Sequence, residues 1–169
     1  GISRGKKRVQ NQGLEDKVKL DVMDATKMGY QDNKFDIVIG HMIIHHVLKY
    51  PNIFEEIYRV MKPGSKAFFC ENLADFILWK LHWKLKGEVP EGDVPIFAKE
   101  IRRKAHMFSR VEIQGDNFLY SLKHFIWKRN MGFARRQTLR GLKAADDLLF
   151  TICPALRRWG GFSYICLTK

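Results

Sequence analysis

The densest run of apolar positions in the chain lies in residues 35–47, which read FDIVIGHMIIHHV. Phe35, Ile37, Val38 and Ile39 crowd the first five positions, and the last three of these are β-branched. Gln31-Asp32-Asn33 precede the run and Gly40 follows it. A short apolar run between turn formers predicts a strand buried on both faces, inside a parallel sheet. A second run, residues 67–70, follows a helical pattern opened by Pro51-Asn52. That helix carries Ile53, Ile57, Val60 and Met61 on one face and is stopped by Lys62-Pro63-Gly64-Ser65. Strand, helix and parallel strand make a βαβ unit, and ligands of such sheets bind beyond the carboxyl ends of the strands. Asp24, Gly40, His41, Met42 and Glu71 fall at that edge. A helix at residues 35–39, or a strand there at the margin of the sheet, is incompatible with this arrangement.

The remaining pattern is less regular. Residues 4–12 read as the end of a helix closed by Gly13. Val18, Leu20 and Val22 alternate with Lys19 and Asp21, which predicts a strand with one wet face near residues 18–23. Residues 74–86, ADFILWKLHWKLK, fit helical and strand periods in part, and their leucines favour a helix. Trp79 and Trp83 alternate with lysines there, so they are expected to face a substrate or a lipid surface. A loop covers residues 87–95, a basic helix about 97–107, and a strand 111–120 with a bulge at Gly115. A helix from about Gln137, with Leu142, Ala145, Leu149 and Ile152 on one face, is bent or ended by Pro154. Gly160-Gly161 then turn the chain into a last strand. Sheet strands are therefore expected near residues 18–23, 35–40, 66–71, 111–120 and 162–168.

Composition adds limits. The 169 residues, 46% hydrophobic and 28% charged, suit one domain with a sizeable core. Cys70, Cys153 and Cys166 show no CxxC spacing and suggest neither a disulfide framework nor a zinc site. The apolar stretch 148–156 is too short to span a membrane, and no secretory signal is visible, so a cytoplasmic location is expected. The first residue is Gly rather than Met, which suggests a fragment or processed piece. The net charge of +12 favours anionic partners. Its basic clusters, Lys6-Lys7-Arg8, Arg102-Arg103-Lys104 and Arg135-Arg136, are scattered, as solvated helix faces are.

Asp24-Ala25, Phe35-Asp36-Ile37-Val38, Ile44-His45-His46 and Arg59-Val60-Met61-Lys62-Pro63-Gly64 occur in an order and spacing that resembles class I S-adenosylmethionine-dependent methyltransferases, in particular those acting on small molecules, quinones or lipids. The likeness is good over residues 5–71 and loose beyond. It implies an α/β, Rossmann-like sheet, mostly parallel with an antiparallel last strand and lacking the family's first two strands. Residues 1–169 would form a partial methyltransferase domain, with the cofactor half in 1–72 and substrate-covering helices and last strands in 73–169. The likeness also implies that the glycine-rich GxGxG loop and the acid that ends the second strand fall outside this sequence. This stretch alone is then expected to be inactive, to bind S-adenosylmethionine weakly and to expose apolar faces of the 35–39 strand.

The resemblance also implies roles. Asp24 would accept from the adenine amine, which suits an acceptor-only carboxylate, and the Ala25 backbone would help read the ring. The backbone of Gly40, His41 and Met42 would pass the methionine and sulfonium end of the cofactor. The [D/N/S]-P-P-[Y/F/W] motif of base-modifying relatives is absent there, so methylation of a nucleic-acid base is not expected. His45 and His46 are candidate general bases, because histidine titrates near neutrality, and the alternative is that they line the helix covering the cofactor. His41 and His45 stand four apart, but no glutamate lies between them and no third ligand is evident, so no metal is expected. The expected activity is methyl transfer to a small or lipid-like molecule, with peripheral membrane contact open and nucleic acid disfavoured. Two other readings stay open. One is an RNA or protein methyltransferase, on the charge. The other is a non-catalytic remnant that binds membrane or nucleic acid, on the missing glycine loop.

Overall fold

The computed structural model describes residues 2–76, 96–122 and 133–169. The first helix, α1 (Ile2–Asn11), ends as expected before Gly13, whose φ of +60° is the left-handed conformation that glycine accepts without strain. Four strands form one sheet in the order β1 (Phe35–His41), β2 (Met61–Glu71), β4 (Phe162–Thr168), β3 (Arg110–Asp116). β1 and β2 are parallel, while β4 runs antiparallel to both of its neighbours. The chain crosses from β1 to β2 through α2 (Ile44–Val47) and α3 (Ile53–Val60), because parallel strands need such a connection. Further on come α4 (Ala98–Lys104), α5 (Phe133–Ile152) and 3-10 turns at Tyr120–Leu122 and Pro154–Trp159.

Side chains alternate across each strand, and one face of the sheet carries the core. Ala67 and Phe69 from β2 and Ile165 and Leu167 from β4 pack there against Ile44, Leu48, Ile53, Phe54, Ile57, Ile101 and Phe108. Burying each large apolar side chain of α3 is worth about 1.5–3 kcal/mol, enough to hold an eight-residue helix that would not persist alone. Arg59 then ties the preceding loop to α3. It forms hydrogen bonds to the backbone oxygens of Met28 and Tyr30, and it pairs with Glu56 at 2.7 Å and Asp32 at 2.6 Å. Lys169 completes the far end of α3, donating to the carbonyls of Tyr58 and Met61.

Several expectations need correction. Residues 18–24 form no strand, and Val22 is 84% exposed; an alternating pattern becomes a strand only beside a ladder partner, and among the described residues none runs alongside. The strand at residues 35–41 exists but lies at the margin of the sheet, with Ile37 57% and Ile39 77% exposed. Its interior placement is therefore wrong. Among the described residues β1 forms one margin of the sheet, and the apolar side chains of Ile37 and Ile39 are exposed there, as the resemblance leads one to expect. β2 starts at Met61 rather than near 66, because Met61 already pairs with Phe35 before the register breaks. β3 ends at Asp116, short of Tyr120, and Gly115 pairs directly with Ser163 without a bulge. Glycine is required there for another reason: a Cβ would stand 1.8 Å from the Arg157 carbonyl oxygen. The basic helix is shorter than 97–107, and α5 begins at Phe133, before Gln137. Trp79, Trp83 and most of residues 74–86 and 87–95 lie outside the described residues.

Candidate functional site

β1 and β2 end side by side, His41 pairing with Cys70, so the loop after β1 and the end of β2 form a common mouth. Gly40 lies against Phe69, and a Cβ on Gly40 would come within 2.5 Å of that ring and 2.9 Å of Ile43. Only glycine lets the chain pass this close. At Met42 the backbone takes a φ of +52°, and its N–H donates to the Cys70 carbonyl at 2.9 Å. This reversal delivers Ile43 and Ile44 to the start of α2.

Glu71 ends β2 on the same face as Ala67 and Phe69, and it is completely buried. Its Oε1 accepts from the backbone N–H groups of Ile43 and Ile44, both at 2.7 Å. Its Oε2 lies 2.8 Å from Nδ1 of His45, whose side chain is 12% exposed. The carboxylate thus closes the first turn of α2, whose own N-cap residue, Ile43, has no side chain able to do so. The exposed His46 ring stands against His45 with centroids 3.9 Å apart, and His41 is exposed, 6.4 Å from the Phe162 ring.

The mouth therefore gathers Gly40, His41, Met42, His45, His46 and Glu71. Asp24 and Ala25 belong to a different segment. Asp24 is exposed and accepts from both the backbone N–H and the hydroxyl of Thr26 at 2.8 Å, a local turn of the type aspartate favours. The Thr26 amide, and then its hydroxyl, hold the Asp24 carboxyl below its ordinary pKa. The segment is fastened to α3 by Asn52, which donates to the Thr26 carbonyl, and by Glu56, which accepts from the Met28 N–H. Glu71 is the residue to which sequence reasoning gave no role. An acid ending an otherwise apolar strand, opposite a histidine after the preceding strand, is the signal that could have revealed it.

The comparisons agree with this architecture. Residues 1–69 match the family model described as a methyltransferase domain. A phosphoethanolamine N-methyltransferase of Arabidopsis thaliana is 36% identical over 59 residues, which are 35% of this chain and 12% of that protein. A ubiquinone/menaquinone biosynthesis C-methyltransferase of Hydrogenovibrio crunogenus is 34% identical over 67 residues, 40% of this chain and 26% of that protein. Among solved structures, Haemonchus contortus phosphoethanolamine N-methyltransferase 2 in complex with S-adenosyl-L-methionine aligns with a TM-score of 0.58 at 18% identity, over 96% of this chain and 39% of that one. A methyltransferase of Thermotoga maritima, described as a possible histamine N-methyltransferase, gives 0.60 at 16% identity, over 95% and 69%.

The fold is the Rossmann-like fold of class I S-adenosylmethionine-dependent methyltransferases. Over its first 69 residues the chain is similar to the methyltransferase domain family, and over nearly its whole length it shares the fold of these methyltransferase structures. The segment matched spans about an eighth and a quarter of these two curated relatives.

Proposed function

We propose that the protein to which this domain belongs transfers a methyl group from S-adenosylmethionine to a small or lipid-like acceptor, at the mouth of β1 and β2. The observation that carries the reading is the tight reversal of the chain at Gly40–Met42, at the carboxyl end of a parallel strand, where Gly40 passes so close to Phe69 that no Cβ would fit and Met42 takes a positive φ. The residues present fit the cofactor. The exposed Asp24 carboxylate is an acceptor suited to the adenine amine, with the Ala25 backbone beside it. Gly40, His41 and Met42 line the approach to the methionine end. The Met42 N–H is engaged with Cys70, so His41 and Met42 would contribute by shape and through their carbonyls.

The cofactor supplies an electrophilic methyl on a sulfonium. That methyl would be taken up by an electron pair of the acceptor, the electrons of the carbon–sulfur bond returning to sulfur. What remains for the chain is to orient the acceptor and to take its proton. We assign that proton to His45 or to His46, whose rings stand 3.9 Å apart at the mouth. The relatives in this sequence range include a sterol 4-C-methyltransferase of Caenorhabditis elegans as well as quinone and phosphoethanolamine methyltransferases, which supports a small or lipid-like acceptor.

We place the reaction in the cytoplasm, where the three free thiols Cys70, Cys153 and Cys166 are at home. Among the described residues no helix is long and apolar enough to cross a membrane. Contact with a membrane surface would be peripheral and driven by the net charge of +12.

The test is transfer of labelled methyl from S-adenosylmethionine to a prenylated quinone, a sterol and phosphoethanolamine. Label in one of these products, lost in His45→Gln, supports the reading. Label found only in RNA or protein contradicts it.

A further inference from the structure

A groove runs beside β3, at the opposite margin of the sheet from β1. It measures about 660 Å³, within the range of small-molecule sites. Residues 111–114 of the strand line it, with Arg102 of α4 and with Arg157 and Arg158 of the 3-10 turn at Pro154–Trp159. Among the described residues no carboxylate pairs with these three arginines. Glu112, the acid in the lining, is paired with Arg110 at 2.8 Å. The contacts that the arginines do make are with neutral groups. Arg102 donates to the Val111 carbonyl, Arg157 lies over the Phe150 ring at 4.7 Å, and Arg158 lies over the Trp159 ring at 4.1 Å. Their charges are therefore left for an anion from outside the chain.

The segment that carries two of these arginines is also apolar where it is exposed. Ile152, the last residue of α5, is 74% exposed and Trp159 39%, and Pro154 and Ala155 between them are exposed as well. Leu148 stands one helical turn before Ile152 and is exposed too. Residues 148–159 contain two arginines and no acid. The two acids just before them are engaged: Asp146 is buried and accepts from the Leu119 and Tyr120 amides, and Asp147 pairs with Lys143 at 3.2 Å. We propose that the end of α5 and the turn Pro154–Trp159 form the surface by which this domain rests on an anionic bilayer. Arg102, Arg157 and Arg158 meet the lipid phosphates there, while Ile152 and Trp159 enter the headgroup layer. This gives a place to the peripheral membrane contact proposed above and rests on that reading.

A bilayer is favoured over other anions because it meets both halves of the surface. A soluble phosphate or an acidic peptide would use the arginines and leave Ile152 in water. At a lipid surface the exposed apolar side chains gain by leaving water, and an indole ring settles at headgroup level. Guanidinium groups suit the phosphates, which they can hold by two parallel hydrogen bonds. The scale fits as well, since a 3-10 turn of this length spans only about 12 Å, so one small patch of lipid meets arginines and apolar side chains together.

The measurement is partition of the full chain onto vesicles, of phosphatidylcholine alone and of an equimolar mixture with phosphatidylserine. Three variants at exposed positions are compared: Arg158→Gln, Ile152→Ser and, as a charge-matched control on α1, Lys7→Gln. The expected result is binding to the mixed vesicles only. Arg158→Gln should weaken it about fivefold, the effect of one basic residue held at an anionic surface, and Lys7→Gln by less than about twofold. Ile152→Ser should weaken it about threefold or more with the charge unchanged. Quenching of tryptophan fluorescence by spin-labelled lipid, reduced in Trp159→Phe, should report the same contact. Equal losses in Arg158→Gln and Lys7→Gln, no loss in Ile152→Ser, or quenching unchanged in Trp159→Phe overturns the proposal and leaves membrane contact to the net charge. Release from the vesicles by inorganic phosphate or polyglutamate, at matched ionic strength, also overturns it in favour of a soluble anion. Absence of any partition onto the mixed vesicles removes the membrane contact itself. Every readout is independent of methyl transfer, so failure of the transfer assay leaves the result standing.

Discussion

Gly40 and Phe69 stand so close across the β1–β2 pair that a Cβ on Gly40 would sit 2.5 Å from the phenyl ring. The same Cβ would lie 2.9 Å from the Ile43 side chain, one residue before α2. The glycine therefore serves the packing under the site and the path of the loop over it.

Gly40→Ala should lower stability by about 1–3 kcal/mol, the usual cost of overpacking a filled core. Phe69→Leu in the same chain should recover part of that loss by withdrawing the ring. Chemical denaturation of the wild type, both single variants and the double variant checks this, and simple additivity would show that the two residues do not interact.

The Arg59 cluster makes acid stability predictable. The hydrogen bond from Arg59 holds the Glu56 carboxyl below its ordinary value, against the opposing effect of burial, and the Met28 amide adds to it. A depressed folded pKa means that the contribution is fully present above the ordinary carboxylate pKa of ~4.3 and is lost as pH falls through the folded value. Glu56→Gln should therefore flatten the fall of Tm below about pH 4.5. An equally steep fall in the variant would place the acid sensitivity elsewhere.

The open margin of β1 carries Ile37 and Ile39 on a solvent-facing side, and among the described residues no strand pairs with its outer edge. Such edges invite association, and a lysine blocks it. Ile39→Lys should reduce concentration-dependent association of this chain while shifting stability by no more than about 0.5 kcal/mol. Light scattering across a dilution series, together with Tm, gives the answer; unchanged association would show that the margin is not the contact.

Much of this arrangement was readable from local pattern. Gly13, the Pro51-Asn52 start of α3, Pro154 after α5 and Gly160-Gly161 before β4 each act through their own backbone, so their effects survive in the fold. The mouth of β1 and β2 was legible for a similar reason, since strand ends follow from apolar runs. What failed depended on neighbours distant in sequence. Residues 18–24 have strand periodicity but no partner, and residues 35–39 have an interior composition but stand at the margin. Gly115 looked like a bulge because the approach of the Arg157 carbonyl is invisible in sequence. Glu71 was placed at the strand mouth yet given no task, because the three nitrogens it meets lie 26–28 residues away.

The central claim is that the methyl donor sits at the carboxyl ends of β1 and β2. Titrating the nitrogen-15-labelled chain with S-adenosylhomocysteine, followed by amide spectra, tests it most directly because even binding near ~1 mM is visible; at that strength the interaction is worth only about 4 kcal/mol. The account predicts saturable shifts at Ala25, Gly40, His41, Ile43 and Ile44, weakened in Asp24→Ala. Shifts confined to the groove lined by Lys6, Gln10, Lys17 and Leu20, or no shifts at all, would contradict it.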